Sequence, residues 1–370
     1  MPPRCSRLNQ NYQELLTLQE RFSVELKQAV TTGDFTTLAS LKKEIIEKQQ
    51  SLESHLNPFE RTLKIREQYE TQKEIYEKIG LLEKREGMLG MEGIDGVWYP
   101  FPSISEVHRR FFEKKEILDI KTDQGFEKLL IVPFGMSLAK FRETMEKTLL
   151  AHYVEMPDPA NPGTMIPDPK KTRLFTAKKN ATDPDEPLAL DTKESLRGWD
   201  KYTDADINGA LVYFPSLFEK ENHGGRTKQE LLATTKQGFQ ILLIEANPFI
   251  PALNTNEVIG TKQPRKRWEA NYSSNDYLYA LQTMSSYSHE QGLTPEAWMT
   301  QFLLHLEETN QVIDDYQRNG KINLNLGGWF PAYGNVADGC WDHDSTRVGF
   351  AGYDPKNQNS YYGSRTAVRI

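Results

Sequence analysis

The run Asp342-His343-Asp344 brings together side-chain types that bind metals or move protons. Three neighbours in an extended segment do not converge on one ion, because alternate side chains point to opposite faces. Only Asp342 and Asp344 share a side, which suits a minor calcium contact or a plain polar loop. Cys340 is a potential nucleophile near His343, but cysteine–histidine sites are assembled from distant segments and no such base can be placed from the sequence. The chain has no HExxH, EF-hand, GxSxG, GxxxxGK[ST] or GxGxxG pattern, and Gly90, Gly93 and Gly96 are wrongly spaced for a phosphate loop. The expectation is therefore a protein without enzymatic activity, metal or other cofactor.

A different chemistry is written into the last forty-five residues, Leu326 to Ile370. They hold seven glycines and eight aromatics, with four basic residues against four aspartates. Glycines, Pro331 and Pro355 interrupt any helical run. The composition is that of a paratope: Tyr and Trp supply amphipathic contact area at low entropy cost, while Ser, Gly and Asn adapt their hydrogen bonds. Trp329, Phe330, Trp341 and Phe350 read as framework, and the Tyr, Asn, Asp and Ser positions between them as a displayed, ligand-binding face.

The rest of the chain must hold that face still. A length of 370 residues suggests two or so folding units. A net charge of −7 argues against nucleic acid as the main partner. Cys5 and Cys340, near opposite ends, make neither a disulfide framework nor a cysteine-rich zinc site, which favours a reducing compartment. With no apolar leader in MPPRCSRLNQ and no long apolar run, neither signal peptide nor membrane span is read. The expected location is the cytoplasm, with export by an unconventional route left open.

Residues 8–86 read as helix. Tyr12, Leu15, Gln19, Phe22, Leu26 and Ala29 form one stripe, and Leu38, Leu41, Ile45, Leu52 and Leu56 a second, with a break at Asn57-Pro58 and a third run ending near Gly87. This is either a self-packed helical bundle or a coiled-coil arm for homo-oligomerisation. Four glycines in Gly87–Gly96 mark the expected boundary between an arm, 1–87, and a domain, 88–370. Within that domain, Ser103 with Glu106 opens a helix through about Leu118, and Ser137 opens another through about Tyr153. Lys128–Phe134, Leu211–Phe214 and Gln240–Glu245 read as strands, and Thr227 with Glu230 as a capping box. Seven prolines in 157–187 predict a long irregular excursion. The basic cluster Lys262–Arg267 reads as a solvated loop, and Thr294-Pro295-Glu296 starts a helix running through Tyr316 to Asn319-Gly320. Its face of Trp298, Phe302 and Leu306 is expected beneath the tail.

The helix GLTPEAWMTQFLLHLEETNQVIDDYQ, the following LGGWFPAYGNV, Trp341, Arg347 and the terminal YGSRTAVRI resemble the variable proteins of diversity-generating retroelements. The resemblance runs from about Met88 to Ile370 and is most specific over Gly292–Ile370; the helical arm adds nothing to it. It implies an α+β fold with a C-type-lectin-like domain, whose hypervariable region, about 326–370, is rewritten at adenines by an error-prone reverse transcriptase. Trp329, Phe330, Pro331, Trp341, Arg347, Gly363, Arg365, Ala367 and Val368 match the family's fixed scaffold. Tyr333, Asn335, Asp338, Asp342, Asp344, Ser345, Tyr353, Asn357, Asn359 and Tyr361 fall where the family varies, and each is a residue type reachable from an asparagine codon. Cys340, Gly352, Lys356 and Gln358 depart from the pattern. The implied function is non-catalytic binding of a protein or other macromolecule. Two rival readings are an assembly protein acting through its helical arm and an enzyme of the formylglycine-generating kind, whose cysteine pair Cys5 and Cys340 do not plausibly supply.

Overall fold

Frequent glycines and intervening aromatic or β-branched residues leave the tail no helical alternative, and it folds into antiparallel strands. The computed structural model describes residues 3–32, 37–48, 63–151, 155–157, 160, 163, 165–167, 196–197, 202–317, 320–342 and 347–370. Helices are α1 (Pro3–Thr32), α2 (37–48), α3 (Ile65–Lys78), α4 (Ile104–Glu113), α5 (Lys115–Asp123), α6 (Leu138–Ala151), α7 (Lys228–Thr235), α8 (Ser274–Thr283) and α9 (Pro295–Thr309). Strands begin with β1 (Glu83–Arg85), β2 (Met88–Glu92), β3 (Trp98–Pro100), β4 (Phe126–Val132), β5 (Glu155–Pro157), β6 (Met165–Pro167), β7 (Leu196–Arg197) and β8 (Val212–Tyr213). They continue with β9 (Gln240–Glu245), β10 (Val258–Ile259), β11 (Arg265–Lys266), β12 (Glu290–Gly292) and β13 (Asp315–Tyr316). The tail supplies β14 (Ile322–Phe330), β15 (Asn335–Asp342), β16 (Arg347–Tyr353), β17 (Tyr362–Gly363) and β18 (Thr366–Arg369). The protein is α+β.

Two units divide the chain: Met1–Tyr69 with Pro102–Lys115, and Glu70–Phe101 with Glu116–Ile370. The first is helical, with Leu15, Leu38 and Leu41 of the expected stripes buried. The break expected at Asn57-Pro58 lies outside the described residues. The boundary expected at Gly87 falls inside the second unit. There Gly87 and Gly96, at φ 79° and 73°, form turns next to β2 and β3, so these glycines serve a three-stranded meander rather than a linker. The helix opened by Ser103 ends at Glu113 and α5 follows it, instead of one helix to Leu118. Most of the proline-rich excursion lies outside the described residues.

Two larger sheets organise the second unit. One has the order β12-β18-β9-β4; the other runs β17-β14-β15-β16-β7, with β13 pairing β15 and β8 pairing β14. Thr294 caps α9 by accepting from the Ala297 N–H, and Pro295 occupies its first turn. Trp298, Phe302 and Leu306 are fully buried as the spacing predicts, and so are Thr300 and Leu303 on the other sides. The helix packs against β4 as well as β14 and β15. Each large apolar side chain so buried contributes about 1.5–3 kcal/mol. It stops ten residues short of the expected end. Asn310 caps it in the left-handed conformation, and the chain turns at Asp314 so that β13 pairs parallel with Trp341 and Asp342.

The basic cluster is not a solvated loop. Arg265, in β11, and Arg267, just beyond it, are buried, while Lys266 between them is only half-buried. Arg265 donates to Glu245 and Glu290, and Arg267 to Glu245 and Glu257, at 2.6–3.0 Å. Lys121 joins through Glu290 at 2.6 Å. These pairings balance the charge of both arginines inside the fold.

Candidate functional site

Strand β15 is central in its sheet, with β14 and β16 on its flanks, and its alternation sorts the tail onto two faces. Asn335, Ala337, Gly339 and Trp341 point one way; Val336, Asp338, Cys340 and Asp342 point the other. The first face meets α9. A Cβ on Gly339 would stand 2.5 Å from the Trp298 ring, so only hydrogen leaves room for the indole. Trp298 Nε1 donates to Asp314 Oδ2 at 2.9 Å. Arg365 grips the same carboxylate with both terminal nitrogens, at 2.8 and 2.5 Å, and also donates to Pro248 O. A buried, bidentate pair of this kind fixes orientation as well as adding energy. Trp329, Phe330 and Trp341 are buried, and Gly363 also lies in the interior. Arg347 opens β16 opposite Asp342.

The second face is covered in part by α8. Leu324, Leu326, Trp329 and Val336 cluster with Trp268, Tyr277 and Leu278, and Tyr353 and Tyr362 pack against the edge of that cluster. Those two tyrosines come from β16 and β17, on either side of the β14–β15 pair, yet their rings stack at 3.8 Å and 17°. They therefore meet across the sheet. Tyr361 and Tyr316 form an edge-to-face pair beside them, at 5.4 Å and 89°. Burial first, then Asp338, Tyr353, Cys340 and Tyr316, hold the Tyr362 hydroxyl well above the ordinary tyrosine range. Asn359 braces the turn below, its side chain accepting from the Tyr361 N–H at 2.9 Å and its carbonyl from the Tyr362 N–H at 3.0 Å.

The ten residues expected on one display face do not lie together. Tyr353, Asn359 and Tyr361 share the tyrosine layer, where Tyr361 is 49% exposed. Tyr333 and Asn335 lie at the β14–β15 turn around Tyr202, on the α9 side; Tyr333 meets that ring edge-on at 5.9 Å and is 44% exposed. Asn357 is exposed in the loop whose Gln358 donates to Asp276 at the start of α8. Asp338 and Asp342 are buried, at 5% and 6%, because a central strand with covered faces presents little to water. Asp344 and Ser345, with His343, lie outside the described residues. Among the described residues no three His, Cys, Asp or Glu side chains gather as a metal site requires.

Sequence reasoning missed Tyr316 and Tyr362. Tyr316 falls on the face of the helix that the sequence extends from Thr294, and nothing in the neighbours of Tyr362 marks it out. It also missed Lys228, Asp206 and Glu296, fully buried charges from three separate segments. Among the described residues no helix is long and apolar enough to cross a membrane. No protein-family model, curated protein or solved structure matches the chain.

Proposed function

We propose that this protein binds a macromolecular ligand, without catalysis, through the tyrosine layer of its C-terminal sheet. We further propose that it is a variable protein of a diversity-generating retroelement, with the tail carried on a C-type-lectin-like scaffold. The observation that carries the reading is the Tyr353–Tyr362 stack with Tyr361 and Tyr316 beside it. Tyrosines that are rigid before contact lose little entropy on binding, and such side chains dominate hot spots. Beneath them, Trp298, Asp314 and Arg365 lock the opposite side of the same sheet. Tyr353, Asn359 and Tyr361 are the exchangeable positions in this layer, and Tyr316 and Tyr362 its fixed partners. Asn357, at its margin, and Tyr333 with Asn335, at the far turn, extend the surface open to variation.

The DNA flanking the coding sequence tests the retroelement reading. Expected are a reverse-transcriptase gene and a near-copy of the last forty-five codons, mismatched chiefly at adenines. A flank with neither defeats that reading. Tyr353→Ser with Tyr361→Ser in the full chain tests the layer itself: the folded double variant should lose a ligand selected on the unsubstituted protein, and retention of full affinity overturns the assignment.

A further inference from the structure

Lys228 opens α7, Asp206 lies in the turns of residues 202–209, and Glu296 is the second residue of α9. All three side chains are fully buried. Lys228 Nζ donates to Asp206 Oδ2 at 2.5 Å and to Met136 O at 2.6 Å, and lies 2.8 Å from Glu296 Oε1. The Tyr213 hydroxyl donates to the same Oε1 at 2.6 Å, and the Leu138 N–H to Asp206 Oδ2 at 3.1 Å. The rings of Phe134 and Tyr213 flank the nitrogen at 5.7 and 5.8 Å. One ammonium thus faces two carboxylates in a water-poor, aromatic-walled site. Asp206 Oδ1 and Glu296 Oε2 are buried with no hydrogen-bond partner among the described residues. An ion pair kept only for structure is expected to satisfy such oxygens.

We propose that Lys228 and Asp206 condense into an intramolecular isopeptide bond, with Glu296 carrying the proton. The ammonium first passes a proton to the Asp206 carboxylate, giving a neutral amine and a neutral carboxylic acid with no change in total charge. Low dielectric lowers the cost of that neutral pair relative to the ionic one. The nitrogen lone pair then attacks Cγ of Asp206, and the carbonyl electrons move onto its oxygen. Glu296 takes a proton from the new C–N⁺ centre and returns it to the Asp206 hydroxyl. That hydroxyl leaves as water as the carbonyl re-forms. An Nζ–Cγ amide has formed, one C–O bond has broken, and Glu296 ends as the carboxylate it began. No oxidant, reductant or second substrate is required.

Geometry supplies what the charge state withholds. The two carboxylates hold the Lys228 ammonium above the ordinary lysine range despite burial, so the neutral amine is a minority form. The step is accordingly a slow, single event after folding, driven by fixed proximity of amine and carboxyl carbon. Tyr213, bonded to Glu296 Oε1, is a positioning residue for the proton carrier. The product removes two buried charges and ties α7 covalently to the 202–209 segment, restricting the unfolded chain as any cross-link does.

Intact mass spectrometry of the folded full chain tests this. The expected mass is that of the sequence less one water, with a branched peptide joining the Lys228 and Asp206 segments after digestion. Asp206→Asn should reach the same product mass, now by loss of ammonia. Lys228→Arg should keep its full mass. Glu296→Gln, shown to be folded by a cooperative thermal transition, should keep its full mass or condense far more slowly. An unsubstituted, folded chain that retains its full mass after prolonged incubation at neutral pH overturns the proposal. Condensation of Glu296→Gln at the unsubstituted rate overturns the role given to Glu296.

Discussion

Gln72 bonds the backbone of Ile131 as a neighbouring strand would. Its Oε1 accepts from the Ile131 N–H at 2.9 Å while its Nε2 donates to Leu129 O at 2.7 Å. One amide reaching residues two apart is the pattern of a parallel partner. Tyr76, one turn further along α3, donates its hydroxyl to Ile131 O at 2.8 Å. Strand β4 ends its sheet, so a helix here closes an edge that would otherwise invite another chain. Gln72→Leu should leave buried N–H and C=O groups unpaired, at about 1–3 kcal/mol. A lower urea midpoint together with concentration-dependent association in sedimentation is the expected result; unchanged stability with a monomeric profile refutes it.

Gly339 separates the two faces of β15 in a measurable way. Gly339→Ala drives a methyl into the ring of Trp298, which is itself fully buried. Overpacking of this kind costs about 1–3 kcal/mol. On the opposite face, a Cβ at Gly349 would sit 3.1 Å from Cys340 Sγ, a contact that a small adjustment relieves. Thermal melts should therefore rank Gly339→Ala well below Gly349→Ala, and the reverse order defeats the assignment of faces.

Arg365 and Asp314 are each other's main compensation for burial. Arg365→Met should cost about 3–5 kcal/mol, because it strands a buried carboxylate. Adding Asp314→Asn should recover part of that loss, since the two sites share one interaction. Denaturant curves for the two single variants and the double close the cycle. Strict additivity would show that the pair contributes nothing beyond its parts.

Local signals were legible wherever one segment decided the outcome. Thr227 with Glu230, Thr294 with Pro295, and Gln240–Glu245 form the caps and strand that their residues dictate. That the tail forms no helix was legible too, whereas its forming the sheet itself was not. What could not be read was set by distant partners. Arg265 and Arg267 look like surface charge until Glu245 and Glu290 arrive from other strands. Asp338 and Asp342 look like display until β14 and β16 enclose their strand. Asn310 ends α9 early because β13 must reach β15, a demand placed by tertiary pairing rather than by periodicity. The same limit hid the buried Lys228–Asp206–Glu296 cluster, whose members are unremarkable in their own neighbourhoods.

His305 makes acid sensitivity readable from one side chain. It lies on α9 with Nε2 lacking a hydrogen-bond partner among the described residues, and the Phe249 ring meets it edge-on at 6.4 Å. Burial first, then Lys128 and Arg365, lower its imidazole from 6.5 to about 4. Between those values the unfolded chain binds a proton that the folded chain refuses. The unfolded state thus holds more protons, and stability rises with pH across the window. Acidification from pH 6.5 towards about 4 must therefore destabilise the fold by this contribution. Carboxylates protonate in the same range, so the measurement is a difference. Urea midpoints of the unsubstituted chain and of His305→Gln, taken at steps down through the window, should diverge. The unsubstituted chain should lose more stability with each step. Parallel curves would mean that His305 takes up its proton in the folded state as readily as in the unfolded one.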